Sequence, residues 1–160
     1  MKTRRVDFGH FSADVDTRWE DLTSTLDQPD LPLTLANPDS GVGALQFSAG
    51  LYKSGKLPHF TKQDLFSLLD DFAVTERLET PFDRHAYPDC DCLIGESFYR
   101  DGDFIRVWYF TDGKNIMLIT YLCDWPVREL ETEPRETTVR SIRFNNVNSG
   151  SGSGKKWKRS

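Results

Sequence analysis

The chain has 160 residues, of which 38% are hydrophobic, 12% aromatic and 28% charged. A chain of this length hides roughly 68–70% of its unfolded surface on folding, so one domain over residues 1–147 is expected and disordered or collagen-like classes are excluded. Its 20 Lys and Arg oppose 25 Asp and Glu. Because Lys155, Lys156, Lys158 and Arg159 fall in the last six positions, residues 1–154 hold 16 basic against 25 acidic groups, or −9. A body this acidic repels phosphate backbones and attracts basic surfaces, which argues against nucleic acid as a partner.

No stretch nears the roughly 20 apolar residues that cross a bilayer. Met1-Lys2-Thr3-Arg4-Arg5 leads into no apolar run of the kind an export signal needs. A cytoplasmic protein without membrane contact is therefore expected. In that compartment Cys90, Cys92 and Cys123 remain thiols.

In chain order, Val6–Phe11 alternates with a period of two, and Trp19–Leu26 contains β-formers. The prolines of Asp27–Pro32 mark a loop, Leu33–Ala36 restarts a short strand, and Asn37–Gly41 is a turn. Ala44–Tyr52 is strand-like, with Leu45, Phe47, Ala49 and Leu51 on one side. Thr61, followed three residues later by Asp64, opens a helix near 61–76, and Leu65, Leu68, Leu69 and Phe72 form its apolar stripe.

The second half reads as a meander. Cys92–Tyr99, Phe104–Thr111 and Asn115–Cys123 are separated by Asp101-Gly102 and Asp112-Gly113, dipeptides that favour type I′ turns. In the middle strand Ile105, Val107 and Tyr109 share one face and Phe104, Trp108 and Phe110 the other. Ile116–Leu122 is apolar on both faces, so it is expected to be central and covered twice. Pro134 suits the first turn of a C-terminal helix near 134–142, with Val139 and Ile142 inward and Phe144 closing the domain. Residues 148–160 are a Gly/Ser linker with a basic end. The fold class expected is α+β, an antiparallel sheet of about six strands with two helices.

Chemistry-bearing motifs are sparse. There is no Gly-x-Ser-x-Gly elbow, phosphate loop or His-Glu-x-x-His, and Gly41-Val42-Gly43 lacks the third glycine of a dinucleotide fingerprint. Cys90-Asp91-Cys92 has poor spacing for tetrahedral zinc, and Asp101-Gly102-Asp103 is explained by its turn. His10, His59 and His85 are scattered, although one of them could meet Cys123 or Ser97 in space. No catalysis, metal or cofactor is expected. Trp108, Tyr109, Tyr121, Trp125 and Phe98 serve either as core or as the lining of an apolar cavity. Trp125, on a loop beside Asp124 and Pro126, reads as an interface anchor.

Trp19, the run Gly43–Ser48, the helix opening Thr61–Leu65, Phe104–Tyr109 before Asp112-Gly113, and the ending Val139–Phe144 recur together over about residues 6–145. In this the chain resembles small bacterial immunity proteins of polymorphic-toxin and contact-inhibition systems, and its order of elements resembles the PsbP/DcrB-like fold. The resemblance implies a non-catalytic protein that binds a cognate toxin, basic and nuclease-like or another intracellular effector, as a monomer in the complex, and occludes its active site. The alternative is an effector-secretion adaptor or chaperone of the DcrB-like kind. Loop position and charge make Asp89, Asp91, Asp101, Asp103, Asp112 and Trp125 the expected partner-binding residues.

Overall fold

The structure is a computed structural model that describes residues 1–25, 32–51, 61–88 and 92–145. Among the described residues ten strands follow in chain order: β1 (Thr3–Asp7), β2 (Phe11–Asp16), β3 (Glu20–Asp21), β4 (Leu33–Ala36), β5 (Gly43–Leu51), β6 (Glu79–Ala86), β7 (Leu93–Arg100), β8 (Asp103–Thr111), β9 (Asn115–Asp124) and β10 (Arg143–Phe144). Helix α1 (Lys62–Thr75) lies between β5 and β6, and α2 (Thr132–Arg140) between β9 and β10. Seven strands form one antiparallel sheet in the order β3-β4-β5-β9-β8-β7-β6, and β1-β2-β10 form a second, smaller one.

The large sheet has helix on one face and helix plus small sheet on the other. On the first face α1 packs over β7 and β8, where Leu65 and Leu69 meet Ile94, Phe98, Ile105 and Val107. Its start is the expected capping box: Asp64 N–H donates to Thr61 Oγ1 at 3.1 Å and Thr61 N–H to the Asp64 carboxylate at 2.8 Å. On the second face β2 and α2 close a larger core around Trp19, Phe47, Trp108, Ile119 and Tyr121. Val139 and Ile142 are buried there, as their positions predict.

Several elements depart from the sequence reading. Val6–Phe11 is not one strand. Gly9 at φ 99° turns the chain between β1 and β2, with the Asp7 carboxylate accepting from Gly9 N–H at 2.8 Å. The described part of Trp19–Leu26, up to Thr25, yields only the two-residue β3 before a 3-10 turn at Thr23–Thr25. β6 was not expected, because Pro81 reads as a break. As the edge strand it tolerates that proline, and its register shifts twice, with positive φ at Thr80 and Asp83.

Asp101-Gly102 has positive φ at both residues and forms the expected type I′ turn. At the second turn only Gly113 does, and it stands first of the central pair Gly113-Lys114, the II′ arrangement. β9 is central, but its helix-side face is covered only in part: Leu122 is 50% exposed. Gln46, Ser48, Leu118, Thr120 and Leu122 line an open cleft of about 360 Å³ beside α1. Tyr52, Lys53–Pro58, most of Asp27–Pro32 and the tail 148–160 lie outside the described residues.

Asp16 closes β2. Its buried carboxylate accepts from Arg18 N–H at 2.8 Å, Nε at 3.0 Å and Nη2 at 2.7 Å. The Arg18 side chain holds its pKa below the ordinary 3.8. A lowered carboxylate pKa contributes stability that is present above the unfolded value and lost as pH falls through the folded one. Asp16→Asn is expected to cost about 1.5 kcal/mol at neutral pH, a modest figure because Arg18 is exposed. Urea unfolding from pH 7 down to pH 3 checks this, and the difference from wild type should shrink below about 3.8.

Candidate functional site

The alternation of β8 points Phe104, Arg106, Trp108 and Phe110 towards α2. One row across the sheet on that face reads Leu45, Tyr121, Arg106, Ser97. Arg106 is therefore a cation placed inside the core, 4% exposed. Its Nη1 donates to Ser97 Oγ at 2.8 Å and to the Asp83 carbonyl at 3.0 Å, and its Nη2 donates to Tyr87 Oη at 3.2 Å. Carboxylates of Asp83 and Glu136 stand at 3.4 and 3.8 Å. Tyr87 joins these groups. Its hydroxyl also accepts from Trp108 Nε1 at 3.0 Å and donates to the Glu136 carboxylate at 2.9 Å. Burial raises the Tyr87 phenol above its ordinary value, which keeps that proton in place.

Gly95 makes the arrangement possible. A Cβ on it would lie 2.9 Å from Trp108 Cδ1 and 3.0 Å from Arg106 Nη2, so any side chain would displace one of them.

A second arginine lies beside the first. Arg135 of α2, 5% exposed, has its guanidinium 4.6 Å from the Tyr121 ring centre and 5.0 Å from that of Phe104. Nη1 donates to the Arg128 carbonyl at 2.7 Å and Nη2 to Thr132 Oγ1 at 3.3 Å. Tyr121 in turn donates to the buried Glu131 carboxylate at 2.6 Å, and burial with that neighbour raises its pKa.

Arg106, Tyr87, Ser97, Arg135, Phe104 and Thr132 line a cleft of about 460 Å³. Along α2 it is faced by Thr132, Arg135, Glu136 and Arg140, which fall on one side of the helix. Across from them stand Asp83 and His85 of β6, Ser97 of β7 and Phe104 and Arg106 of β8. Arg128 and Glu129 close one end. Four arginines against three carboxylates make the cleft locally cationic inside an acidic body, which overall charge could not reveal. His85 and Ser97 share it, but the Ser97 hydroxyl is engaged by Arg106. Cys123 is buried, and burial raises its thiol pKa.

Next to the cleft lies an aromatic surface. Trp125 meets Tyr99 edge-on at 5.0 Å and Phe82 at 5.8 Å, and Arg128 stacks on it at 4.0 Å. Phe82 and Tyr99 are exposed. Of the residues expected to bind a partner, Trp125, Asp101 and Asp103 come together here. Trp125 N–H donates to the Gly102 carbonyl at 2.9 Å, and Asp103 pairs across the sheet with Asp124. Asp112 lies at the far end of β8, about 30 Å away at ~3.3 Å per residue. Its carboxylate accepts from Lys114 and Asn115 N–H groups at 2.8 Å within its own turn. Asp89 and Asp91 lie outside the described residues. Among the described residues no three His, Cys, Asp or Glu side chains gather as a metal site would require, and no helix is long and apolar enough to cross a membrane.

Arg106 and Arg135 are not among the residues expected to form a site. Arg106 had a signal, a charge on the otherwise apolar face of Phe104, Trp108 and Phe110. Arg135 had none, since one turn of a short polar helix does not show what it packs against.

No protein-family model matches the sequence, and no curated protein matches it. Solved structures do resemble it in shape. The Ran-binding protein Mog1p of Saccharomyces cerevisiae superposes with a TM-score of 0.62 at 10% identity, over 90% of this chain and 96% of that one. Cyanobacterial PsbP from Synechocystis gives 0.55 at 8% identity, over 90% and 93%. A Bacteroides thetaiotaomicron protein gives 0.58 at 13% identity, over 91% of this chain and 49% of its own. The chain thus has the α+β Mog1/PsbP/DcrB-like fold, a seven-stranded antiparallel sheet with two helices.

Tyr87→Phe removes one oxygen and strands three partners: Trp108 Nε1, Arg106 Nη2 and the Glu136 carboxylate. A buried polar group left unpaired costs about 1–3 kcal/mol. The variant is expected to lose at least about 2 kcal/mol in urea unfolding, and a loss under about 0.5 kcal/mol would show the network to be of little consequence.

Proposed function

We propose that this chain acts by binding another protein, as an immunity protein that covers a toxin's working surface and turns over no substrate itself. The observation that carries this reading is the aromatic and arginine surface at the Asp101–Asp103 end of the sheet. Trp, Tyr and Arg concentrate binding energy at interfaces. Here Tyr99 and Phe82 meet Trp125 edge-on and Arg128 stacks on its face, so little side-chain freedom remains to be lost on docking.

Acidic groups at Asp101, Asp103, Asp124 and Glu129, with the −9 of residues 1–154, add long-range attraction to a basic toxin. Mog1p, which shares the fold, is a Ran-binding protein, an instance of this architecture used to hold another protein. The resemblance to immunity proteins over residues 6–145 supplies the toxin as partner. A patch of standard size would cover about 800 Å² on each side. The adaptor reading also draws on a specific observation, the open cleft beside α1 with Leu122 half exposed, which suits an apolar effector segment.

The test uses the full chain co-expressed with the toxin it captures in its bacterial host. Wild type should protect cells, and Trp125→Ala with Tyr99→Ala, folded by circular dichroism, should bind about 30-fold more weakly, as a hot-spot loss of about 2 kcal/mol implies. Cell death in the presence of the wild-type complex would overturn the immunity reading. Capture of an untoxic effector through Leu122 would favour the adaptor.

A further inference from the structure

Two arginines of the cleft lack the partner their setting calls for. Arg106 has Asp83 and Glu136 beside it, but Arg128 and Arg135 pair with no carboxylate among the described residues. Arg135 is 5% exposed, and a cation that buried is ordinarily matched by an anion. Its Nε–H also finds no acceptor, nor does that of Arg106. Both unpaired arginines are held by their flat faces, Arg128 on Trp125 at 4.0 Å and Arg135 on Tyr121 at 4.6 Å. Stacking occupies the faces of a guanidinium; of the donors around the edge, Arg135 Nη1 and Nη2 go to the Arg128 carbonyl and Thr132, and Arg128 Nη1 to the Trp125 carbonyl at 3.0 Å, which leaves Arg135 Nε–H and the Nε and Nη2 side of the Arg128 rim. That rim matches the two oxygens of a carboxylate.

We propose that this cleft is a binding site for a carboxylate attached to an apolar or aromatic body. Arg128 supplies the accessible donor edge, Arg135 the buried charge beneath it, and Phe82 and Phe104 the apolar wall. At about 460 Å³ the cleft has room for such a group, within the range of about 300–1,000 Å³ usual for small-ligand sites. Asp83, Glu129 and Glu136 on its walls repel a second negative charge, so a monoanion fits better than phosphate. The same chemistry is offered by a free organic acid and by the C-terminal carboxylate of a peptide. The inference stands on the lining groups alone and does not depend on the immunity reading.

The full chain, labelled with nitrogen-15, is titrated with phenylacetate and with N-acetylphenylalanine. Phenylacetamide and inorganic phosphate are titrated alongside. Arginine Nε–H signals and calorimetry give the readout. At least one carboxylate is expected to bind with millimolar or tighter affinity and to move the Arg128 and Arg135 signals, with the amide and phosphate at least about tenfold weaker. Tighter binding of phenylacetate assigns a free acid, and tighter binding of N-acetylphenylalanine a chain terminus. Arg128→Ala, and separately Arg128→Lys, which keeps the charge but loses the fork, should each weaken binding about tenfold with the fold intact by circular dichroism. Arg140→Ala, at the exposed end of α2, should weaken it less, and serves as the reporter if the Arg128 variants fail to fold. Arginine signals unmoved by either carboxylate, phosphate bound as tightly as carboxylate, or affinity unchanged in the variants would overturn the proposal.

Discussion

A guanidinium cannot be put into a protein core without hydrogen-bond acceptors around it, and Arg106 is in the core of this one. Its cost sets the requirements for what surrounds it. Ser97 must be a hydroxyl, the bulged β6 must bring the Asp83 carbonyl inward, and Tyr87 must reach back with its phenol. Tyr87 then ties Trp108 and Glu136 to the same point, so strands β6, β7 and β8 and helix α2 are joined by polar contacts as well as by packing. Such a network is directional where hydrophobic burial is not, and it fixes how far α2 stands from the sheet.

That spacing creates the cleft. With α2 held off the sheet by Tyr87, Arg106 and the stacked Arg135, its inner face cannot collapse onto Phe104. The same groups brace the surface beside it. Arg135 lies over Phe104, Phe104 is 6.2 Å from Trp125, and Arg128 covers Trp125. The exposed aromatics are thus the outer end of a rigid chain that begins in the core. A binding surface supported this way loses little entropy when it docks. The opposite face of the sheet differs in kind: α1 covers β7 and β8 by apolar packing, and the described residues leave the part of the face over β5 and β9 open.

How much of this could be read from the sequence follows from the range of the interactions involved. α1 was legible because its capping box and apolar stripe are local. The β7–β8–β9 meander was legible because turn dipeptides and alternation are local too. β6 was not, since its eight residues are nearly all exposed and it is strand only by virtue of lying beside β7. The half-open face of β9 was not either, because an apolar run states what could be covered and not what is. At the candidate site Trp125 was recognisable as an aromatic among loop acids, and Asp101 and Asp103 followed from their turn. The arginine cleft was hidden, since it joins side chains from β6, β8, α2 and the segment before α2 that only the tertiary fold brings together.

The polar network around Tyr87 and Arg106 joins α2 firmly to the sheet. The most direct measurement is hydrogen exchange at the indole N–H of Trp108, which donates to Tyr87 at 3.0 Å and is wholly buried. Exchange is expected only through global unfolding, with a protection free energy equal to that from denaturant titration. Exchange well below that limit, with the rest of the core still protected, would show instead that α2 opens independently of the sheet.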